Sequence, residues 1–276
     1  MMQFNFIGIL FCLGGFLADS ALAGVVDLQQ VVAKKAAILK NMHDKAGSAL
    51  VQVAQDPAFS GYFKASHDQS KTEYKERIEH ISLRVQSKFH VEEMCLINTN
   101  GAEISRIVQN QIAYDLSPDE AKNPFFAPSF KQKSKTIYIA PAYISPDAHK
   151  WVLAYTTPIE VHGQNAAILH YEHGLDVYQA ALNKEPAGLG SYIVAVDKNG
   201  LVLSDSRKKI YVSEREGQEE AVSYFEPFTL MGKSFQEVVA LLGDKSSAAI
   251  VLEGKSFTVA YKSIADWTIV GIEQSN

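Results

Sequence analysis

Two stretches of the chain, about a hundred residues apart, share one pattern of an apolar run, a turn and a second apolar run. The first turn reads Ile97-Asn98-Thr99-Asn100-Gly101 and the second reads Val196-Asp197-Lys198-Asn199-Gly200. Asn-Gly favours a tight hairpin turn, because both residues tolerate the positive φ that such a turn requires. Two more segments recur in the same order, residues 154–159 with 260–264 and residues 168–172 with 269–273. The three matches predict two tandem copies of one β-rich unit.

The composition is that of a globular protein with room for two domains. The chain has 276 residues, of which 47% are hydrophobic and 21% are charged. Its formal net charge of −5 disfavours nucleic acid as a partner, because binding to phosphates requires positive surface charge.

The first 23 residues have a different character. An apolar run from Phe4 to Leu17 is too short for a membrane span of ~20 residues. It is followed by Ala21-Leu22-Ala23, a small-x-small cleavage site. Residues 1–23 are therefore predicted to be a signal peptide, and the protein to be periplasmic or secreted. Because no Lys or Arg precedes the run, an uncleaved anchor remains the alternative.

Helical patterns come first along the mature chain, and strand patterns follow. Apolar residues keep helical spacing for about thirty residues from Val25 until Asp56-Pro57, and a second helix is expected near residues 71–89. Each copy then reads as a hairpin, an irregular segment with a helix, and three antiparallel strands. In the first copy, residues 135–144 and 151–158 are expected to form one hairpin. The predicted domains are two N-terminal helices (24–90), a first sheet unit (91–186) and a second one (187–276), which gives an α+β fold.

The order of these motifs resembles the double Cache family of extracytoplasmic sensor domains, in which a long helix runs beside two PAS-like sheets. The resemblance covers nearly the whole mature chain, and it implies small-molecule sensing, usually by the first, membrane-distal copy. The matching pieces are Gln55-Asp56-Pro57-Ala58-Phe59, residues 96–101 with Glu103 and Arg106, Asn123-Pro124-Phe125-Phe126, Ile137-Tyr138, residues 151–159, residues 196–200 and Trp267-Thr268-Ile269-Val270.

The chain departs from this family in two respects. Most relatives continue into a second membrane span and an intracellular output domain, whereas this chain ends at Asn276, soon after its last strand. A stand-alone form is therefore expected, signalling through a separate membrane-bound receptor. The Arg-x-Trp-Tyr cluster of the amino-acid-sensing relatives is replaced by residues 125–130 (Phe-Phe-Ala-Pro-Ser-Phe), so generic amino-acid recognition is not supported.

Aromatic side chains of the first copy are candidates for the pocket wall, since phenol and indole groups combine an apolar surface with one polar atom. Strand alternation places Trp151 and Tyr155 on one face, and places Tyr138 and Tyr143 on opposite faces of the preceding strand. Packing within the core is the alternative for each of them. The complete predicted ligand-binding set is Arg106, Phe126, Tyr138, Tyr143, Trp151, Tyr155, His170 and Glu172.

Two charged residues of this set have specific expectations. By the resemblance, Glu172 occupies the strand position of the family's ligand-amine aspartate, although its repeat match Glu273 leaves a solvent-exposed strand end as an alternative. Arg106 could hold a ligand carboxylate or form an ion pair within the sheet. His170 and His173 lie three apart on a strand and face opposite sides, so they cannot chelate one metal ion. No metal and no cofactor are predicted.

The leading prediction is an exported, non-catalytic module that binds a small molecule in its first copy. One alternative is a scaffold protein without a ligand, which forms a homodimer through its amphipathic N-terminal helix. An enzyme that uses the His/Glu cluster is another. Cys95, the single cysteine left after cleavage, is expected to be a small buried hydrophobe on a strand.

Overall fold

The computed structural model of the chain describes residues 16–89, 91–148, 150–184, 190–208 and 225–275, with side chains from residue 28 onward. The predicted signal peptide up to residue 15 and the predicted boundary between residues 186 and 187 lie outside the described residues.

Three helices open the described chain. Helix α1 is Phe16–Ala54, and Asp56 then caps α2, which is Pro57–Lys64, through its carboxylate and the amide of Ala58. Helix α3 is Asp68–Phe89. None of the described helices combines the length and the apolar character needed to cross a bilayer.

The first sheet contains seven strands. Its strand order is β3-β2-β1-β7-β6-β4, and β5 also pairs with β6. The short helix α4 (Phe126–Phe130) lies between β3 and β4 in the chain. The strands are β1 (Glu93–Asn98), β2 (Glu103–Val108), β3 (Gln111–Ala113), β4 (Tyr138–Ile139), β5 (Tyr143–Ser145), β6 (Lys150–Val161) and β7 (Gln164–Gly174).

Helix α5 (Leu175–Asn183) leads to the second sheet, which has the order β12-β13-β14-β8-β9. Helix α6 (Phe235–Leu242) precedes β12 and begins with a capping box between Ser234 and Glu237. The strands of this half are β8 (Ser191–Asp197), β9 (Val202–Asp205), the separate pair β10 (Thr229–Leu230) and β11 (Lys233–Ser234), β12 (Ser247–Leu252), β13 (Lys255–Ile264) and β14 (Trp267–Gln274).

The two sheets repeat one topology, as the sequence pattern predicts. The hairpin β2-β1 is followed by β7, β6 and the short strands of the first sheet, and β9-β8 is followed by β14, β13 and β12 in the second. In both hairpin turns an Asn or Asp side chain accepts hydrogen bonds from backbone amides of the turn. Asn98 Oδ1 accepts the amides of Asn100 and Ala102 at 2.8 and 3.1 Å, and Asp197 Oδ1 accepts two amides of its own turn, each at 2.8 Å. The glycines Gly101 and Gly200 have φ of 88° and 81°.

Helix α1 packs on one face of both sheets and unites the largest apolar core. Leu28 and Val32 of α1 lie against Gly271 in β14, and Leu39 and Leu50 are fully buried in the same core. The opposite face of each sheet has a core of its own. Phe125 and Phe126 contribute to that of the first sheet, and α6 covers that of the second. The apolar side of α1 is therefore occupied within the monomer.

The expectation of one continuous strand over residues 135–144 is wrong. Tyr138 pairs with Thr156, and Tyr143 pairs with Val152. The segment from Tyr138 to Tyr143 therefore advances five residues while its partner strand β6 advances four. The extra residue lies near Pro141, which has no amide hydrogen to donate to a ladder. Because one extra residue reverses the alternation, Tyr138 and Tyr143 face the same side of the sheet, not opposite sides.

Candidate functional site

The face of the first sheet that points away from α1 carries buried polar side chains. We call this surface the polar face, and it is built by strands β1, β2, β5 and β7. Successive side chains of a strand alternate, so residues two apart lie together on it. The polar face consists of Glu93, Cys95, Glu103, Arg106, Tyr143, His170 and Glu172.

Aromatic residues from the segment before β4 cover the polar face. The ring of Phe125 stacks on that of His170, with centroids 4.1 Å apart. Phe126 packs in the apolar part of the same core. Ser129 of α4 shares a 2.5 Å hydrogen bond with the hydroxyl of Thr156 on β6, which ties the cover to the sheet. The segment that lacks the amino-acid-sensing motif therefore forms the lid of this face.

Glu172 lies at the centre of the face and is 2% exposed. The hydroxyl of Tyr143 donates to its Oε1 and lies 3.3 Å from Nε2 of His170. Nδ1 of His170 is buried and has no hydrogen-bond partner in the described part of the chain. Oε2 of Glu172 is also buried and makes no hydrogen bond of ordinary geometry there, although the side chains of Ser145 and Glu93 lie close enough to the carboxyl to lower its pKa. Unpaired buried polar atoms are costly, so these two atoms are poised to accept a partner.

Burial keeps the groups of this face close to neutrality. It raises the pKa of Glu172 to about 7 and lowers the pKa of His170 to about 3. Burial, followed by the charge of Glu172, raises the pKa of Glu93 well above its ordinary value. A positive group placed beside these carboxyls would reverse the shifts of the acids, because it would stabilise their ionised forms.

Arg106 is held by acids of its own chain. Its guanidinium lies 2.8 Å from a carboxylate oxygen of Asp115, 3.2 Å from one of Asp147 and 3.7 Å from one of Glu103. Of the two roles open to Arg106 from the sequence, the structure places it in an ion-pair network of the sheet. The face is therefore richer in acidic groups than in free positive charge.

Cys95 lies between two of these acids. Its thiol donates to Oε1 of Glu93 at 2.8 Å and lies 3.1 Å from Oε1 of Glu103. Glu103 also accepts the amide of Ser117 at 2.6 Å through its other oxygen. The expectation that Cys95 is only a small buried hydrophobe is therefore incomplete. The predicted ligand-binding set contains neither glutamate, although the alternation Glu93-x-Cys95 places these two residues on one side of a strand.

Six of the eight residues predicted to bind a ligand belong to the polar face or its cover. They are Arg106, Phe126, Tyr138, Tyr143, His170 and Glu172. Tyr138 also lines a cavity of about 280 Å³ between the first copy and the turns of the second.

Trp151 and Tyr155 lie on the other side of the sheet, in the core under α1. The Tyr155 hydroxyl is 2.5 Å from Nδ1 of His43 and 2.6 Å from the hydroxyl of Tyr178. Trp151 packs against Phe225, with ring centroids 4.1 Å apart. Strand alternation separates the two from Glu172 and His170, so the structure does not gather all eight residues into one pocket.

His170 and His173 face opposite sides of β7, as their spacing predicts. His170 lies under Phe125, whereas the ring of His173 packs edge-on against Tyr155 on the α1 side. Burial lowers the pKa of His173 to about 4. These two histidines do not form a common metal site.

The repeat match of Glu172 with Glu273 is wrong by one residue. Counted back from the repeated turn, Glu93 corresponds to Tyr192. Glu93 pairs with Glu172 in the first sheet, and Tyr192 pairs with Ile272 in the second. The structural counterpart of Glu172 is therefore Ile272, and the alternative of a solvent-exposed strand end does not hold for Glu172.

The same comparison shows that the second copy replaces the polar groups by apolar ones. Cys95 pairs with His170, and their counterparts Val194 and Val270 also pair with each other. Both valines lie in the apolar core that α6 covers. The fold is stable with an apolar face at these positions, so the polar groups of the first copy are not required by the architecture.

Solved structures with the same architecture span nearly the whole chain. The sensory domain of the Campylobacter jejuni chemoreceptor Tlp3 with isoleucine bound has a TM-score of 0.72 and 13% identity, over 96% of this chain and 98% of that one. The ligand-binding domain of the Pseudomonas fluorescens chemoreceptor CtaA in complex with L-leucine has a TM-score of 0.62 and 12% identity, over 94% and 97%. A domain of a sensory box/GGDEF family protein from Vibrio parahaemolyticus has a TM-score of 0.66 and 12% identity, over 92% and 97%.

At these identities the likeness shows the fold, which is the double Cache arrangement that the sequence resemblance implies. A scan against protein-family models and a search of curated proteins give no match.

Proposed function

We propose that this protein is an exported, non-catalytic sensor module that binds a small molecule on the polar face of its first copy. Its occupancy would be passed to a separate membrane-bound receptor. The observation that carries the proposal is the contrast between the copies. Two sheets of equal topology differ in that one buries Glu93, His170 and Glu172, whereas at the matching places the other buries Val270 and Ile272 and has the partly buried Tyr192.

The chemistry of the face indicates the ligand class. Glu172 and His170 offer unpartnered acceptors or donors, and Phe125 offers an aromatic surface beside them. Arg106 is already paired with three acids, so a ligand carboxylate would have to displace them. A small molecule with an amine or other cationic group fits this face, through a charge-assisted hydrogen bond to Glu172.

The sensor proposal is tested by the thermal stability of the full chain in the presence of metabolites. Amines, amino acids and other polar molecules are screened one at a time. A ligand at 100 times its Kd stabilises the folded state by about 2.7 kcal/mol, which for a protein of this size shifts Tm by roughly 5–10 °C. The expected result is such a shift for one chemical class, with cationic molecules favoured.

Two matched variants locate the binding site. Glu172→Gln replaces the central carboxyl of the polar face by an amide that cannot ionise, and Glu273→Gln makes the same change on β14 of the second sheet. The ligand's effect on Tm should be lost in the first variant and kept in the second. If no molecule shifts the Tm of the folded protein, or if both variants respond as the parent does, the sensor proposal or its site is wrong.

The scaffold alternative depends on α1 having a free apolar side for dimerisation. In the described residues that side packs on both sheets of its own chain, with Val32, Leu39 and Leu50 buried. The structure therefore gives the sensor proposal more support than the scaffold.

Export is proposed on the sequence of residues 1–23. Amino-terminal sequencing of protein recovered from the envelope fraction tests it, and Gly24 as the first residue is the expected result. An intact Met1 on membrane-bound protein would instead support the anchor.

A further inference from the structure

Three potential metal ligands converge at the edge of the polar face. The ligand atoms of Glu93, Cys95 and Glu103 all lie within 4.8 Å of one another, and the three residues are 4%, 1% and 8% exposed. Glu93 and Cys95 lie two apart on β1. A register irregularity between Leu96 and Ile97 brings Glu103 of β2 opposite Ile97, on the same side.

We propose that Glu93, Cys95 and Glu103 bind a divalent transition-metal ion of the Zn²⁺ type, through the Cys95 sulfur and one oxygen of each carboxylate. A thiolate ligand favours Zn²⁺ or Co²⁺ over Mg²⁺ and Ca²⁺, which prefer oxygen ligands alone. On binding, the thiol of Cys95 and the carboxyl of Glu93, where it is protonated, release their protons to solvent. Metal–sulfur and metal–oxygen bonds form, and no electron is transferred.

A buried polar atom outside Glu93, Cys95 and Glu103 gives a second argument for a bound ion. Glu172 is the direct cross-strand neighbour of Glu93, is 2% exposed, and makes no hydrogen bond of ordinary geometry through Oε2 among the described residues. Its Oε1 is held by Tyr143, and its Oε2 is the candidate for the fourth donor that a tetrahedral site requires, although among the described residues the ligand atoms within 4.8 Å of one another are those of Glu93, Cys95 and Glu103. His170, the cross-strand neighbour of Cys95, leaves Nδ1 equally unpartnered.

The charges at this edge also call for a cation. Glu93, Glu103 and Glu172 are three buried carboxyl groups, and the guanidinium of Arg106 that lies near Glu103 is shared with Asp115 and Asp147. Buried carboxyls can ionise together only beside a counter-charge. A dication bound by Glu93, Cys95 and Glu103 would offset two of the three negative charges that two carboxylates and one thiolate carry as ligands.

The second copy provides an internal comparison for this inference. The counterparts of Glu93, Cys95 and Glu103 are Tyr192, Val194 and Val202, found by counting from the repeated turn and by strand pairing. None of these three can ligate a metal ion through a carboxylate or a thiolate. The ligand set is thus confined to the copy whose face is polar, and a Cache sheet folds without it.

The metal site does not depend on the proposed function. It would stand if no small molecule bound, and the sensor would stand if no metal did. The two are also read separately, because the metal is followed by an optical signal and the small molecule by the response of Tm to metabolites.

The experiment is a Co²⁺ titration of the full chain, freed of metal with a chelator and kept reduced with a phosphine. A cobalt–thiolate bond produces a near-ultraviolet charge-transfer band. The expected result is a band that saturates at about one equivalent and is abolished when Zn²⁺ is added, because Zn²⁺ binds more tightly than Co²⁺ to such sites. Because residues 1–23, with Cys12, are proposed to be removed on export, Cys95 is the single thiol of the exported protein. Cys95→Ser should lose the band, and Glu160→Gln, which changes an exposed side chain, should keep it.

Carboxylate variants test the rest of the site without relying on Cys95. Glu93→Gln and Glu103→Gln keep the side-chain shape, and each should weaken Zn²⁺ binding by more than about 100-fold, which exceeds the loss usual for residues that act behind a ligand. Glu160→Gln, an exposed glutamate of β6, is the control and should bind as the parent does. Circular dichroism verifies that each variant is folded.

Three results would overturn the proposal. They are the absence of the cobalt–thiolate band in folded protein, retention of the band in Cys95→Ser, and equal Zn²⁺ affinity in parent, Glu93→Gln and Glu103→Gln.

Discussion

Glu93 and Glu172 lie directly opposite each other on adjacent antiparallel strands, and both are buried. Like charges at such a position destabilise a sheet. The arrangement persists without ionisation because burial raises the pKa of both carboxyls. The pair therefore makes the stability of the unliganded, metal-free protein dependent on pH.

Raising the pH should destabilise the metal-free protein through Glu172. Its pKa is about 7 in the folded state and 4.5 in the unfolded state, so the unfolded chain releases this proton first. The folded state then holds more protons, and stability falls as pH rises from 4.5 towards 7, by up to about 3 kcal/mol. Urea unfolding of chelator-treated protein at several pH values measures the loss. Glu172→Gln should lack this component and Glu273→Gln should retain it; identical pH profiles for both variants would contradict the prediction.

Lowering the pH should act through His170 in the opposite sense. Its pKa is lowered from 6.5 to about 3, so below pH 6.5 the unfolded chain takes up a proton that the folded chain refuses. Stability falls with decreasing pH, by about 2 kcal/mol between pH 6.5 and about 4.5. In the variant His170→Gln this part of the acid sensitivity should disappear. His67→Gln, at an exposed position, is the control, and an unchanged acid profile in His170→Gln would show that the imidazole is accessible to protons in the fold.

Replacing Arg106 should lower the stability of the folded protein, whether or not a ligand is bound. It is the guanidinium between Glu103, Asp115 and Asp147, and removing one partner of a buried ion pair leaves uncompensated charge. Arg106→Met should lower the free energy of unfolding by about 3 kcal/mol. Arg106→Lys keeps the positive charge but not the planar guanidinium with its several donors, so it should lower the free energy of unfolding by less. Chemical denaturation measures both. A loss under about 0.5 kcal/mol in Arg106→Met would be typical of an exposed pair and would contradict the burial argument.

The sequence predicts the fold well because its signals are local and repeated. The turns at residues 97–101 and 196–200 are both closed by an Asn or Asp side chain and a glycine, and the apolar spacing of α1 holds for many turns. Tandem copies add a consistency check, since each predicted strand has a counterpart. The departure near Pro141 arises from one extra residue; the proline is a local signal for an interruption of the strand, but it does not show how many residues the interruption adds.

The site is predicted less completely because it depends on register. A slip of one residue exchanges the two faces of a strand, and the repeat match was one residue out over β14. Because of that slip, the sequence repeat matches Glu172 with Glu273, whereas the strand pairing matches it with the apolar Ile272. The proximity of Glu93 and Glu103 to Cys95 is likewise not readable from local sequence, because it depends on the register between β1 and β2.

Tyr155 belongs to the core under α1, so its removal should affect folding and spare binding. Its hydroxyl joins His43 and Tyr178 in a buried network. Tyr155→Phe deletes that link and should cost about 1–3 kcal/mol, the cost of leaving buried polar partners unsatisfied. Urea unfolding measures the loss, and Tyr114→Phe at a highly exposed position should cost nearly nothing. If Tyr155→Phe abolished ligand binding at full stability, the ligand would lie on the α1 side and the polar-face proposal would be wrong.

Gly271 sets how closely α1 approaches the second sheet. A Cβ at this position would lie 2.6 Å from Cγ2 of Val32 and 2.9 Å from Cδ1 of Leu28. Both are buried side chains of α1. Contacts this short force the helix or its side chains to move, so Gly271→Ala should destabilise the protein by about 1–3 kcal/mol. The cause is separable from a loss of backbone freedom, because Gly271 does not adopt positive φ. Val32→Ala removes the closest atom, and the double variant should therefore be more stable than the sum of the two single losses predicts. Additive losses in that cycle would show that α1 does not rest on Gly271, and that the helix is joined to the second sheet by other contacts.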